Sequence, residues 1–126
     1  MGFTDNAIVV VKTPTEGDWV WKSLYITDLS GGEDAIAAVS GKCIYVEKVQ
    51  LYGASVADFT VTLGAAQGTD VTTIYIGPIV LSDQGGSTVI DFGPDHCMKV
   101  ASGTAFSADS SAAGLVTMLI KYKIAS

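Results

Sequence analysis

The chain has 126 residues, of which 48% are apolar and 16% charged, with a formal net charge of −6. That length suits one domain whose core needs no disulfide or metal staple, and the apolar content excludes a disordered chain. Seven basic residues against thirteen acidic ones make a poor match to a phosphate backbone, whose affinity comes from Lys and Arg displacing counterions, and no apolar run approaches the roughly 20 residues of a membrane helix.

The first residues, Met1 to Asn6, lack the basic start and apolar middle of a signal peptide, so synthesis and folding in a cytoplasm are expected. "AIVVVK" (7–12) is strand-like, and residues 1–17 are read as a peripheral N-terminal arm. "DWVWKSLYI" (18–26) follows. On a strand, Trp19, Trp21 and Tyr25 point to one side, because side chains alternate faces. Such an aromatic row would stack sugar rings. It would equally fill a core or a subunit interface, and the burial energy of large aromatics favours that second use. In "DLSGGEDA" (28–35), Asp28, Glu33 and Asp34 gather around two glycines. The pattern matches no calcium loop and reads as a solvated turn.

"GEDAIAAV" (32–39) has helix-compatible alanines, yet a strand is preferred, since Ser40-Gly41 then joins it as a hairpin to a strand over 42–52. Gly41 is expected at positive φ. Within "IYVEKVQLY" (44–52), Ile44 and Val46 share one parity and Val49 and Leu51 the other. A β-bulge or sharp bend is therefore predicted at Glu47-Lys48. "DFTVTL" (58–63) puts Phe59, Val61 and Leu63 inward. In "TTIYIGPIVL" (72–81), Ile74 and Ile76 switch parity to Ile79 and Leu81 across Gly77-Pro78, which marks a bend or an edge. "STVIDF" (87–92) groups Thr88, Ile90 and Phe92, and "GTAFSAD" (103–109) sets Phe106 on one face with Thr104 and Ala108. "LVTMLIKYKI" (115–124) is a long half-buried strand, with Val116, Met118, Ile120, Tyr122 and Ile124 on one face and Thr117, Lys121 and Lys123 on the other with Leu115 and Leu119. Turn signals punctuate these runs, among them Gly53-Ala54-Ser55 and Asp83-Gln84-Gly85-Gly86. The sum is an all-β chain: one antiparallel two-sheet β-sandwich over 1–126.

Catalytic chemistry has little to build on. His96 is the one histidine and reads as a surface or turn residue; Cys43 and Cys97 read as free, buried thiols in a reducing compartment, with a disulfide between them as the alternative. A metal site from Cys43, His96 and Cys97 lacks an evident fourth ligand. No Gly-x-Ser-x-Gly elbow, phosphate loop or dinucleotide fingerprint occurs. The expectation is a non-enzyme without cofactor or metal.

From Ala35 to Ile124, the order of features resembles the small virion-associated proteins of tailed bacteriophages and prophages. The features are a Ser-Gly-Lys turn into an Ile-x-Val strand ("VSGKCIYV"), a Thr/Val strand ("ADFTVTLG"), a Gly-Pro-apolar segment ("IGPIVLSDQGG"), an apolar strand into a Gly-Pro turn ("TVIDFGPDH"), and a Ser-Gly-x-Ala step before the last strand ("VASGTAFSADSSAAGLVTMLIKY"). The resemblance implies a jelly-roll sandwich. It implies a structural virion protein, first of all a capsid decoration (cement) protein, that acts as a homotrimer on the major capsid protein or another virion component. The virion would be its location, after synthesis in the host cytoplasm. No nucleic acid or membrane partner is expected. The alternative is a fibre, tail or other carbohydrate-binding sandwich that takes a glycan on Trp19, Trp21 and Tyr25.

Overall fold

A computed structural model describes residues 6–54, 59–65, 71, 73–81 and 86–126; the expected turns at Ser55 and Asp83-Gln84-Gly85 lie outside them. Among the described residues there are ten strands: β1 (Val10–Lys12), β2 (Val20–Ile26), β3 (Glu33–Ile36), β4 (Cys43–Ala54), β5 (Phe59–Ala65), β6 (Thr73–Leu81), β7 (Ser87–Asp91), β8 (His96–Lys99), β9 (Phe106–Ser110) and β10 (Leu115–Ala125). They form two antiparallel sheets. The six-stranded sheet runs β1-β8-β4-β10-β2, with β7 also on β4, and the four-stranded sheet runs β3-β9-β5-β6.

The connectivity is that of a rolled hairpin. One arm is β2, β3, β4 and β5; the returning arm is β6, β7/β8, β9 and β10. The arms pair β5 with β6, β4 with β7 and β8, β3 with β9, and β2 with β10. Rolling then sets β4 against β10 and β5 against β9, which is how a jelly roll satisfies most of its sheet edges. Ile44, Val46, Val49, Leu51, Met98, Val116, Met118 and Ile120 of the larger sheet meet Ile36, Phe59, Val61, Leu63, Leu81 and Phe106 of the smaller one in a single core.

The parity break in β4 is a bulge. Lys121 lies opposite Lys48 but Tyr122 opposite Val46, so Glu47 is the extra residue. Beside it β4 exchanges partners, with Val46 on β8 and Lys48 on β7, and Phe92 N–H donates to Glu47 O at 3.0 Å. The extra residue lets both parities of β4 face the same core.

Three expectations need correction. Residues 33–36 form a strand, but not a hairpin with β4. Both edges of β4 are already occupied, by β10 on one side and β7 and β8 on the other, so β3 crosses to the other layer and sets Ile36 opposite Phe106. The Ser40-Gly41 turn, closed by Lys42 N–H donating to Val39 O at 3.1 Å, carries the chain between layers. In β6, where the register against β5 shifts twice, Tyr75 is buried before Gly77-Pro78 and Ile76 packs half-buried against the core, while Ile74 is exposed. Lys123, expected outward in solvent, is buried.

Gly41 has φ +73°, and a Cβ there would meet no atom within 4 Å. Backbone strain alone therefore decides its substitution. Gly41→Val is expected to cost about 1–3 kcal/mol, read as a fall in denaturant midpoint at unchanged slope. An unchanged midpoint would remove the requirement for glycine in this turn.

Candidate functional site: the outer face of the six-stranded sheet

The register lays out the face of the larger sheet that points away from the core. Tyr25, Thr117, Tyr52 and Ser87 form one row across β2, β10, β4 and β7. Ser23, Leu119, Gln50 and Val89 form the next, and Trp21, Lys121, Lys48 and Asp91 the third. Below the bulge a fourth row holds Lys123, Tyr45 and Lys99.

The chain covers one half of this face itself. Loop 13–19 lies over the lower rows. Lys123 Nζ donates to Pro14 O at 3.0 Å and sits 4.5 Å from the centre of the Trp19 ring; Lys121 Nζ sits 5.1 Å from the same ring. Two ammonium groups against one indole hold the loop down through the negative ring face. Beneath lies a second small core of Cys43, Tyr45, Cys97 and Ala125, with Val11 and Trp19 against it. The loop approaches β10 so closely that a Cβ on Gly17, at φ +84°, would collide with Ile124 O. Glu16 pins the loop from outside, accepting from Ser126 N–H at 3.0 Å and from Lys42 Nζ at 3.4 Å. These partners, the Ser126 amide first, hold its carboxyl below the usual value.

The other half is uncovered. Trp21 is 50% exposed, Tyr25 67% and Tyr52 46%, and Leu115 and Val89 are exposed beside them. Strand geometry puts Tyr25 and Tyr52 about 10 Å apart and Trp21 and Tyr25 about 13 Å apart. A charged stripe separates the halves, where Lys121 meets Glu47 at 2.7 Å. The result is a flat aromatic and aliphatic patch with a polar border, a composition that marks contact surfaces.

The three aromatics singled out in sequence thus divide. Trp19 is half-buried and fastens the loop; Trp21 and Tyr25 stand in the open patch. Sequence reasoning missed Tyr52, Val89 and the partnership of Leu115 with them. Each lies on the outward parity of its own strand, which was the available signal, but their adjacency comes from the pairing of four strands.

Other reactive groups are elsewhere or muted. Cys43 and Cys97 are buried and free. Burial raises the Cys97 thiol pKa, which favours the protonated and unreactive form. His96 is exposed at the start of β8, opposite Lys12. Asp28 accepts from Ser30 N–H at 2.8 Å, and Asp34 accepts from Ser107 Oγ at 2.6 Å. Among the described residues, no three His, Cys, Asp or Glu side chains gather as metal ligands. A cavity of about 330 Å³ opens between β2 and β3, floored by Leu24, Leu29, Ala108 and Met118 and rimmed by Asp28, Glu33 and Asp34.

No protein-family model matches the sequence, and no curated protein is significantly similar to it. Among the solved structures similar to it, two match along nearly the whole chain. One is from Bacillus endospore appendages, described as a novel family of disulfide-linked pili, with 15% identity, 98% of this chain and 96% of that chain covered, and a TM-score of 0.38. The other is from the virus-like particle of the extra small virus of the giant freshwater prawn Macrobrachium rosenbergii, with 18% identity, coverage of 98% and 94%, and a TM-score of 0.35. Likeness at that level carries no inference about this chain, so the functional reading rests on its own surface.

Proposed function

We propose that this chain is a non-enzymatic structural subunit that packs against protein through the open half of its outer sheet face. The observation that carries this reading is the division of that face. The chain covers one half with its own loop and leaves Trp21, Tyr25, Tyr52, Val89 and Leu115 uncovered on the other. Tyr and Trp are enriched at interfaces, where an apolar body is buried and a polar tip stays bonded. In finer form, the subunit is a capsid decoration protein of a tailed bacteriophage, working as a homotrimer on the major capsid protein. The motif order from Ala35 to Ile124 supports that form.

Solution mass by size-exclusion chromatography with light scattering tests it. The expected result is a trimer that persists on dilution and saturates stripped capsids at a stoichiometry set by the lattice. Tyr52→Lys with Leu115→Lys should leave the melting temperature nearly unchanged, since exposed sites tolerate substitution, and should abolish assembly. A monomer at every concentration that ignores capsids would overturn the reading.

One observation favours a second use. Trp21, Tyr25 and Tyr52 form a flat, exposed aromatic platform that would stack a glycan, with Trp19 committed to the loop beneath. Quenching of Trp fluorescence by a member of a glycan panel, lost in Trp21→Ala, would support it. Silence across the panel would remove it.

A further inference from the structure

The two long sides of the sandwich are finished differently. On one side, residues 6–12 bridge the sheets: Ala7 N–H donates to Ile74 O of β6 at 2.7 Å, Asn6 Nδ2 to Gly77 O at 3.2 Å, and β1 pairs with β8. On the other side β2 and β3 each have, among the described residues, one paired neighbour, β10 and β9, and the cavity of about 330 Å³ opens between them. Open strand edges invite pairing, and proteins usually blunt them with shortness, charge, proline or a covering segment. Here β1 has three residues and a lysine, β3 has four residues and two carboxylates, β7 is also paired on one side only but is shorter, with five residues ending in Asp91, and β6 carries Pro78 and is covered by residues 6–7. By contrast β2 has seven residues, no proline or glycine, and Lys22 as its single charge.

We infer that the free edge of β2 pairs antiparallel with β2 of a second copy of this chain, about a two-fold axis at Ser23. This deepens the reading of the chain as an assembly subunit and rests on it. The sequence of β2 is self-complementary about that residue. Trp21 falls opposite the second copy's Tyr25 on the outer face, Val20 opposite its Ile26, and Ser23 opposite its Ser23. Aromatic cross-strand pairs and aliphatic pairs are the favourable ones in antiparallel sheets. Charge fits as well. Lys22 lies on the parity of Leu24 and Ile26, opposite the second copy's Leu24, whose side chain lines the acid-rimmed cavity. Lys22 has no carboxylate partner among the described residues, so pairing brings a cation to the Asp28 and Glu33 side of the neighbour. The contact continues the six-stranded sheet across the axis and, being two-fold, joins a subunit of one trimer to a subunit of the next. It leaves Tyr52, Val89 and Leu115 available for the face contact, so both surfaces serve one lattice.

Ser23→Cys tests the axis. Directly opposite residues in antiparallel strands have Cα atoms about 4.5–5.5 Å apart, within disulfide reach. Ser87→Cys, an exposed position on β7 at a different edge of the same sheet, is the control for collision. Under mild oxidant at equal concentration, S23C should yield at least about tenfold more covalent dimer than S87C, because pairing raises the effective thiol concentration. Lys22→Glu should reduce that yield, and Lys22→Glu with Glu33→Lys should restore it. If S23C and S87C cross-link equally while the wild-type protein has an oligomeric mass, the edge contact is wrong and the assembly reading stands. If the wild-type protein is monomeric at every concentration and neither variant cross-links, both fall.

Discussion

Phe106→Ala is expected to be the most destabilising single change in this molecule, costing about 3–5 kcal/mol. Phe106 heads the largest fully buried side chains and opens β9, which is paired on both sides, with β3 and with β5. Its ring therefore sits where neither neighbouring strand has freedom to close over a void. The lost transfer energy and the residual cavity both count against the folded state. Against a typical total of about 5–15 kcal/mol, the variant approaches the limit of folding. A drop of roughly 10–20 °C in melting temperature should follow for a domain of this size. Thermal and urea unfolding of the purified variant would check it. A loss under about 1 kcal/mol would mean that the sheets repack around the gap and that the core is less interlocked than its burial implies.

Trp19→Ala and Trp21→Ala should behave oppositely, although the two residues are two apart and point the same way. Trp19 roofs the second core and offers its ring to Lys121 and Lys123. Its removal uncovers Cys97 and Tyr45 and leaves the buried Lys123 ammonium with Pro14 O as its polar partner. The expected cost is about 2–3 kcal/mol, from partial apolar burial and the desolvated cation–π contacts. Loop 13–19 should loosen with it, which proteolysis or amide exchange would detect. Trp21 is half exposed, and Trp21→Ala should stay within about 0.5 kcal/mol of the parent. Its loss should appear instead in assembly, or in glycan binding if that is the use of the face. Equal stability of the two variants would mean that loop 13–19 is not fastened by its tryptophan.

The bulge shows how far local pattern reaches. Val46 and Val49 both need the core, and period two forbids that without an extra residue; Glu47 is that residue. The same logic places Phe59, Val61 and Leu63 inward along β5. Such assignments depend only on neighbours along one strand, so they are legible before any pairing is known. The β3 to β4 connection was misread for the complementary reason. A turn at Ser40-Gly41 is compatible with a hairpin, and only the prior occupation of both β4 edges forbids it.

Sequence alone therefore determined the fold class, the inward faces of most strands, the positive φ of Gly41 and the two-residue spacing of Trp19 and Trp21, because backbone sterics and side-chain alternation act locally. Tertiary structure alone decided which outward residues meet water. Lys123 is buried because Pro14, 109 residues away in the chain, lies over it. Tyr52 belongs to the open patch because β10 sets Thr117 between it and Tyr25. Exposure is a property of what the rest of the chain places on top, and the rolled hairpin places loop 13–19 over one half of the outer face and nothing among the described residues over the other.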